Sequence, residues 1–221
     1  MPPLFKKLIE PDDRFFLNGV AMLAVGTSVI SQTSARDRLI CAAIELFATH
    51  GFQSIGLRDL AGYIGLQAGS LYHHIENKQG LLFELIESAL TDLLVMTKRR
   101  MKGARTPSER VHRFVQAFVT FSMKEKNRLV LVTREFVNLN EEHKHQADKL
   151  KHAHSVLLGE IIADEYGVKG KPDAETCLIT HAVIGMLYGQ LHWNEVKITE
   201  QRLTELLTGC IMHIIASKKN A

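Results

Sequence analysis

Residues 57–82, LRDLAGYIGLQAGSLYHHIENKQGLL, decide the fold. Leu57, Leu60, Ala61 and Ile64 fall at i, i+3, i+4 and i+7, the apolar stripe of a two-turn helix. Gly65 follows, a residue that takes positive φ without steric cost and so ends a helix. Leu66 and Leu71 are spaced to enter a core on either side of the turn, and Ala61 is small where two helices must cross. A helix, a tight turn and a second helix make a helix-turn-helix, whose second helix lies in the major groove while the first crosses the backbone. An ordinary helical hairpin is the alternative, and the surface of the second helix argues against it.

That surface is Gln67, Ala68, Gly69, Ser70, Tyr72, His73 and His74. Gln and Ser hydrogen-bond base edges, and the Ala68 methyl suits a thymine methyl. Gly69 costs a helix about 1 kcal/mol against alanine, a cost that makes sense where something must approach the backbone. Tyr72 and His73 are placed for phosphate oxygens, which set register without reading sequence. Asn77 reads as the N-cap of the next helix. Lys78 then puts a cation beside free N–H groups, an arrangement suited to a phosphate.

The segment from about Thr33 to Leu94 resembles the DNA-binding domain of the TetR family of bacterial transcriptional regulators. The matching pieces are Ile44-Glu45-Leu46-Phe47, Gly51-Phe52, Arg58-Asp59-Leu60-Ala61, Gly69-Ser70-Leu71-Tyr72-His73-His74, and Asn77-Lys78 with Leu81-Leu82. By this resemblance Arg58, Gln67, Ala68, Ser70, Tyr72, His73 and Lys78 occupy positions that touch DNA. Two departures stand out. Ile55-Gly56 replaces the usual Thr or Ser cap of the second helix, and Gln67-Ala68 replaces a frequent Ser-Lys pair, so one basic contact is missing.

A chain of 221 residues, 46% of them hydrophobic, can bury one substantial core or two smaller ones. Its net charge of +3 does not itself point to nucleic acid. Thr33 to Ser88 holds four basic residues (Arg36, Arg38, Arg58, Lys78) and six acids (Asp37, Glu45, Asp59, Glu76, Glu84, Glu87), a local net of −2. Binding would then rest on positioned contacts and dimerisation rather than on bulk attraction. Cys41, Cys177 and Cys210 are far apart in apolar helical contexts, which predicts buried thiols in a reducing cytoplasm.

Residues 1–32 read as an N-terminal extension, mobile or following an early start codon, with Met22 the alternative start. Phe15 to Ile30 is largely apolar, but it is short for a span and interrupted by Asn18, Gly19, Gly26, Thr27 and Ser28. Acids at Glu10, Asp12 and Asp13 offset Lys6, Lys7 and Arg14, against a signal peptide.

Beyond the reading head the chain stays helical. One helix is expected from Lys78 to about Met101, ending in Lys98-Arg99-Arg100, cations that complement its dipole. Pro107 opens another, with Val111, Phe114, Val115, Phe118 and Phe121 on one stripe. Leu129–Leu139 and Glu141–Tyr166 follow, the latter closed by Gly167. Phe114, Phe118 and Phe121 suit either a core or a ligand cavity. Arg134 and Glu135 in one apolar helix and His181 in a later one suit either a satisfied core or, with Met186, the lining of that cavity. His143, His145, His152 and His154 lack the i, i+4 spacing of a helical zinc pair and sit among lysines, so a solvated face is expected and no metal. No nucleophile triad, phosphate loop or Cys-x-x-Cys pair points to catalysis or to a cofactor.

The last two helices, Asp173–Asn194 and Thr199 to about Ser217, are apolar on wide faces. Gly185 and Gly189 permit close helix approach, and with Leu203, Leu207 and Ile211 they form the expected dimer interface. The resemblance implies a four-helix bundle with a twofold mate, placing two recognition helices about one DNA turn or a multiple apart. The reading is an all-α protein: a helix-turn-helix three-helix domain over 33–94, and a helical effector-binding and dimerisation domain over 95–221. Its expected partners are a double-stranded operator, a small effector and a second copy, as in a cytoplasmic repressor. A helical lipid or small-molecule carrier with a vestigial head, or a membrane-tethered regulator, are the competing readings.

Overall fold

Ser34 starts the first helix through a capping box: its hydroxyl accepts from Asp37 N at 3.1 Å, and Asp37 Oδ2 accepts from Ser34 N at 3.2 Å. The computed structural model describes residues 34–168, 171–192 and 197–219. The expected extension over 1–32, with its apolar run Phe15–Ile30, lies outside them.

Nine α-helices and no strand occur among the described residues. They are α1 (Ala35–His50), α2 (Leu57–Tyr63), α3 (Ala68–Leu71), α4 (Lys78–Met101), α5 (Pro107–Lys124), α6 (Lys126–Val130), α7 (Glu141–Glu165), α8 (Ala174–Gly189) and α9 (Glu200–Lys219). None of them is long and apolar enough to cross a membrane.

Two cores hold these helices. The first gathers Leu39, Phe47, Leu60, Leu71, Leu82 and Ile86 from α1–α4. The second gathers Phe114 and Phe118 of α5, Leu158 and Ile162 of α7, Leu187 of α8 and Ile211 of α9. Helix α4 belongs to both. Its buried stripe Leu81, Leu82, Leu85, Ile86, Ala89, Leu90 faces the first core, and Leu93 enters the second. At 1.5 Å per residue α4 is a rod about 36 Å long, with one end under the reading head and the other between α5 and α7. Asn77 caps it as the sequence predicts, its Oδ1 accepting from Gly80 N at 2.7 Å.

Three expectations are corrected. Leu129–Leu139 is not one α-helix: after α6 the chain widens into a π-helical turn over Leu131–Glu135, tightens into a 3-10 turn over Phe136–Asn138, and becomes extended at Leu139. Apolar spacing cannot separate these helical forms, and here side-chain bonds from Arg134, Glu135 and Asn138 to the head fix the backbone. All three cysteines are exposed. Cys41 shows why: Leu39, Ala42 and Ala43 turn inward on α1, leaving position 41 on the outer face. His154 is not solvated but 3% exposed. It lies on the inward face of α7 with Ala147, Leu158 and Ile162, against the Phe114 ring at 4.6 Å, its Nε2 3.3 Å from Thr97 Oγ1. Burial holds its pKa down at about 4. His143 also leaves the solvated face, stacking on Phe83 at 4.2 Å.

Candidate nucleic-acid interface

The turn between α2 and α3 is a full Schellman motif. Gly65 takes φ 72°, Gly65 N donates to Gly62 O at 3.3 Å, and Leu66 N donates to Ala61 O at 2.8 Å. Leu60 and Ala61 on α2 and Leu71 and Ile75 beyond the turn are buried, which rolls the opposite side of α3 outward. The cap of α2 is weak, as Ile55-Gly56 predicts: Gly56 has no side chain to offer, and Asp59 Oδ2 instead accepts from Gly56 N at 2.8 Å.

Helix α3 is shorter than its sequence pattern, four residues of α-helix followed by tighter turns in which His73 N donates to Ser70 O and His74 N to Leu71 O. Gly69 weakens the α-helix at its second residue, and the chain must turn at Ile75 to reach the Asn77 cap. Gln67 is the N-cap, makes no side-chain capping bond and is exposed, as are Gly69, Tyr72 and His73. Tyr72 is 62% exposed. Ala68 and Ser70 are half-buried, Arg58 is exposed in the first turn of α2, and an alanine methyl at Gly69 would meet nothing within 4 Å. All eight sequence-derived residues, Lys78 included, are exposed or half-buried, Ala68 packing in part against the first core.

Lys78 differs in direction. Its Nζ turns inward, donates to Phe52 O at 2.5 Å and sits 4.0 Å above the Phe52 ring centroid. Partial burial holds this ammonium below the ordinary lysine value, with Asp59 and Glu135 acting in the opposite direction. In this conformation it fastens α4 to the turn after α1. Arg36, another cation of the head, is ion-paired with Glu84.

The residues expected to line a ligand cavity do not come together. Phe114, Phe118 and Phe121 are fully buried in the second core. His181 is exposed on α8, and Met186 is half-buried against that core. Arg134 turns away from the second core, donating to Phe47 O at 2.7 Å and Ala48 O at 2.6 Å on α1. Two polar side chains that sequence reasoning missed do lie in the second core: His154, and Tyr188, whose ring meets Phe118 edge-on at 5.0 Å and whose phenol burial pushes up to about 12. The spacing 147, 154, 158, 162 along α7 is the signal that places His154 inward.

Of the expected dimer residues, Gly185 and Gly189 are exposed on α8, as is the neighbouring Leu178 at 69%. Leu203 and Leu207 are half-buried against the chain's own core, and Ile211 is fully buried in it. The outer face of α9 is a different stripe, Arg202, Leu206, Cys210 and His213, which lines an open groove. A helix with two apolar faces does not say which one serves its own chain.

Comparison with known proteins agrees with this geometry. The family model described as bacterial regulatory proteins, tetR family, matches residues 39–85. The model for a tetracyclin repressor-like C-terminal domain matches residues 104–197. The HTH-type transcriptional repressor KstR2 of Mycolicibacterium smegmatis is 32% identical over 78 residues, 35% of this chain and 38% of the repressor, so that match spans well under half of its relative. Among solved structures, the TetR family regulator PfmR from Thermus thermophilus superposes with a TM-score of 0.69 at 26% identity, over 81% of this chain and 98% of its own. AibR, solved in complex with isovaleryl coenzyme A and operator DNA, shares the fold with a TM-score of 0.70 at 18% identity, over 79% of this chain and 96% of its own. With a head and a C-terminal domain each matched in place along well over half of its length, the chain belongs to the TetR family of bacterial regulatory proteins.

Proposed function

We propose that this protein is a ligand-responsive transcriptional regulator, a homodimeric repressor released from a near-palindromic operator by a small apolar or acyl-type effector. The observation that carries the reading is the outward face of α3. Gln67, Gly69, Tyr72 and His73 stand exposed along α3 and the turns that flank it, while Leu71 and Ile75 are locked in the first core, a shape suited to a major groove. Gln67 and Ser70 would read base edges, Tyr72, His73 and Arg58 would hold phosphates, and Gly69 would let the backbone come close.

Dimerisation rests on the exposed apolar side of α8, with Leu178, Gly185 and Gly189, beside the outer stripe of α9. The effector would enter among α4, α5, α7 and α8, where Phe114 and Phe118 give apolar walls and His154, Thr97 and Tyr188 give polar contacts. AibR, with isovaleryl coenzyme A bound, has this fold and motivates the acyl class. An effector lowers operator affinity only through unequal affinity for two states of the dimer.

Selection of bound duplexes from a random pool tests the proposal. Enrichment of a near-palindrome, lost on Tyr72→Ala with Gln67→Ala in a folded protein, is the expected result. Failure to enrich any sequence refutes it and favours a carrier. Metabolite-driven release of the selected duplex then identifies the effector.

A further inference from the structure

At the edge of the first core, which Leu131, Val132 and Leu139 also enter, the chain makes a compact polar junction. Gly51 ends α1 at φ 87°, and the turn it forms presents the Phe52 N–H to the Glu135 carboxylate, Oε2 accepting at 3.2 Å. Asn138 Nδ2 donates to the same oxygen at 2.8 Å, and Arg134 Nε donates to Glu135 Oε1 at 2.7 Å. The Arg134 guanidinium also reaches the Phe47 and Ala48 carbonyls in the last turn of α1, the former shared with the Gly51 N–H. Asn138 extends the contact on both sides: its Oδ1 accepts from Gln53 Nε2 and its carbonyl from Gln79 Nε2, each at 2.9 Å. One five-residue stretch, 134–138, therefore grips the end of α1, the turn before α2 and the first turn of α4.

Glu135 is 4% exposed. A buried carboxylate is costly unless its lone pairs are taken, and here donors from its own loop and from the head take them. The grip is directional because each bond has a fixed acceptor, unlike the apolar contacts of Leu131 and Val132 next to it. It also sits on the π-helical turn Leu131–Glu135, a wide, uncommon form found mostly as single-turn bulges at functional sites, which a one-residue shift in bonding would return to α-helix. Such a shift would carry Glu135 about the helix axis and away from Phe52.

We propose that Glu135, with Arg134 and Asn138, is the positioning residue that sets the angle of the reading head on the effector domain, and that the π-helical turn is the element whose rearrangement releases it. The inference rests on the dimeric DNA-binding reading above. In a dimer this angle sets the separation of the two α3 helices, so the grip determines which half-site spacing is bound.

The test uses the duplex enriched by the wild-type protein, with one or two base pairs inserted or removed between its half-sites. Each added base pair turns the second half-site by about 35°. Wild type should lose about tenfold or more in affinity per base pair, whereas Glu135→Gln and Asn138→Ala should lose about threefold or less. A merely structural role would lower affinity for every spacing by the same factor and leave the profile steep. Asn138→Ala leaves no buried charge unpaired, so it reports even where Glu135→Gln fails to fold. Variant profiles as steep as wild type, or a wild-type profile already flat, overturn the proposal. Absence of any enriched duplex instead overturns the DNA-binding reading.

Discussion

At Gly69 stability and function pull in opposite directions. Open space surrounds its Cα in the free protein, so Gly69→Ala should stabilise the chain by about 0.5–1 kcal/mol. If a DNA backbone or base edge approaches there, the same methyl should weaken operator binding at least about threefold. Denaturant unfolding and fluorescence anisotropy on one preparation check both signs. Lys78 separates two roles that its sequence position confuses. A phosphate ligand removed by Lys78→Met lowers the salt slope of binding by about 0.9 per half-site. The inward bond to Phe52 O instead predicts an unchanged slope and about 1 kcal/mol of lost stability. His154 makes stability depend on pH. Folded, it takes up a proton near pH 4; unfolded, near 6.5. The unfolded state binds more protons between those values, so its contribution is full above pH 6.5 and is lost as pH falls towards 4. Going from pH 7 to 5 should cost about 2 kcal/mol, and His154→Leu should remove most of that slope in urea titrations.

Among the elements, α4 was legible from sequence in both its ends and its inward stripe, because an Asn cap, a basic last turn and a repeated 3–4 spacing all agree. The segment after α6 was not. Its apolar residues fit a helix, while its form is set by hydrogen bonds to residues more than 80 positions earlier. Arg134 illustrates the loss: a charge in an apolar run signals a special role, but only its bonds to Phe47 and Ala48 show that it ties the segment after α6 to the end of α1. The two C-terminal helices are an intermediate case. Their apolarity predicted a partner surface, yet Ile211 faces inward and Leu206 outward. Leu178→Arg with Leu206→Arg should therefore yield folded monomers by light scattering, whereas an Ile211 substitution should unfold the chain.

On the scale of the whole molecule, charge and topology limit what the protein can do. The head carries a net −2 between Thr33 and Ser88, and Arg36 and Lys78 already have partners within the chain. The slope of log affinity against log salt should stay shallower than about −6 for the dimer; a steeper value would refute the charge argument. Val183, Leu187, Ile211 and Ile215 all belong to the second core. Removing the chain beyond residue 170 would thus expose Phe114 and Phe118 and leave no stable monomer to assay.

Local chemistry determined the helix-turn-helix. A glycine able to take positive φ, leucines at helical spacing and an Asn cap act within a few residues, so the linear chain already specifies the turn, the buried side and the outward face of α3. Tertiary structure alone decided which cations were free, where His154 lay and which side of α9 was spare. Those outcomes depend on neighbours brought together from 26 to 87 positions away, and hydrogen-bond geometry over such distances leaves no periodic trace in the sequence.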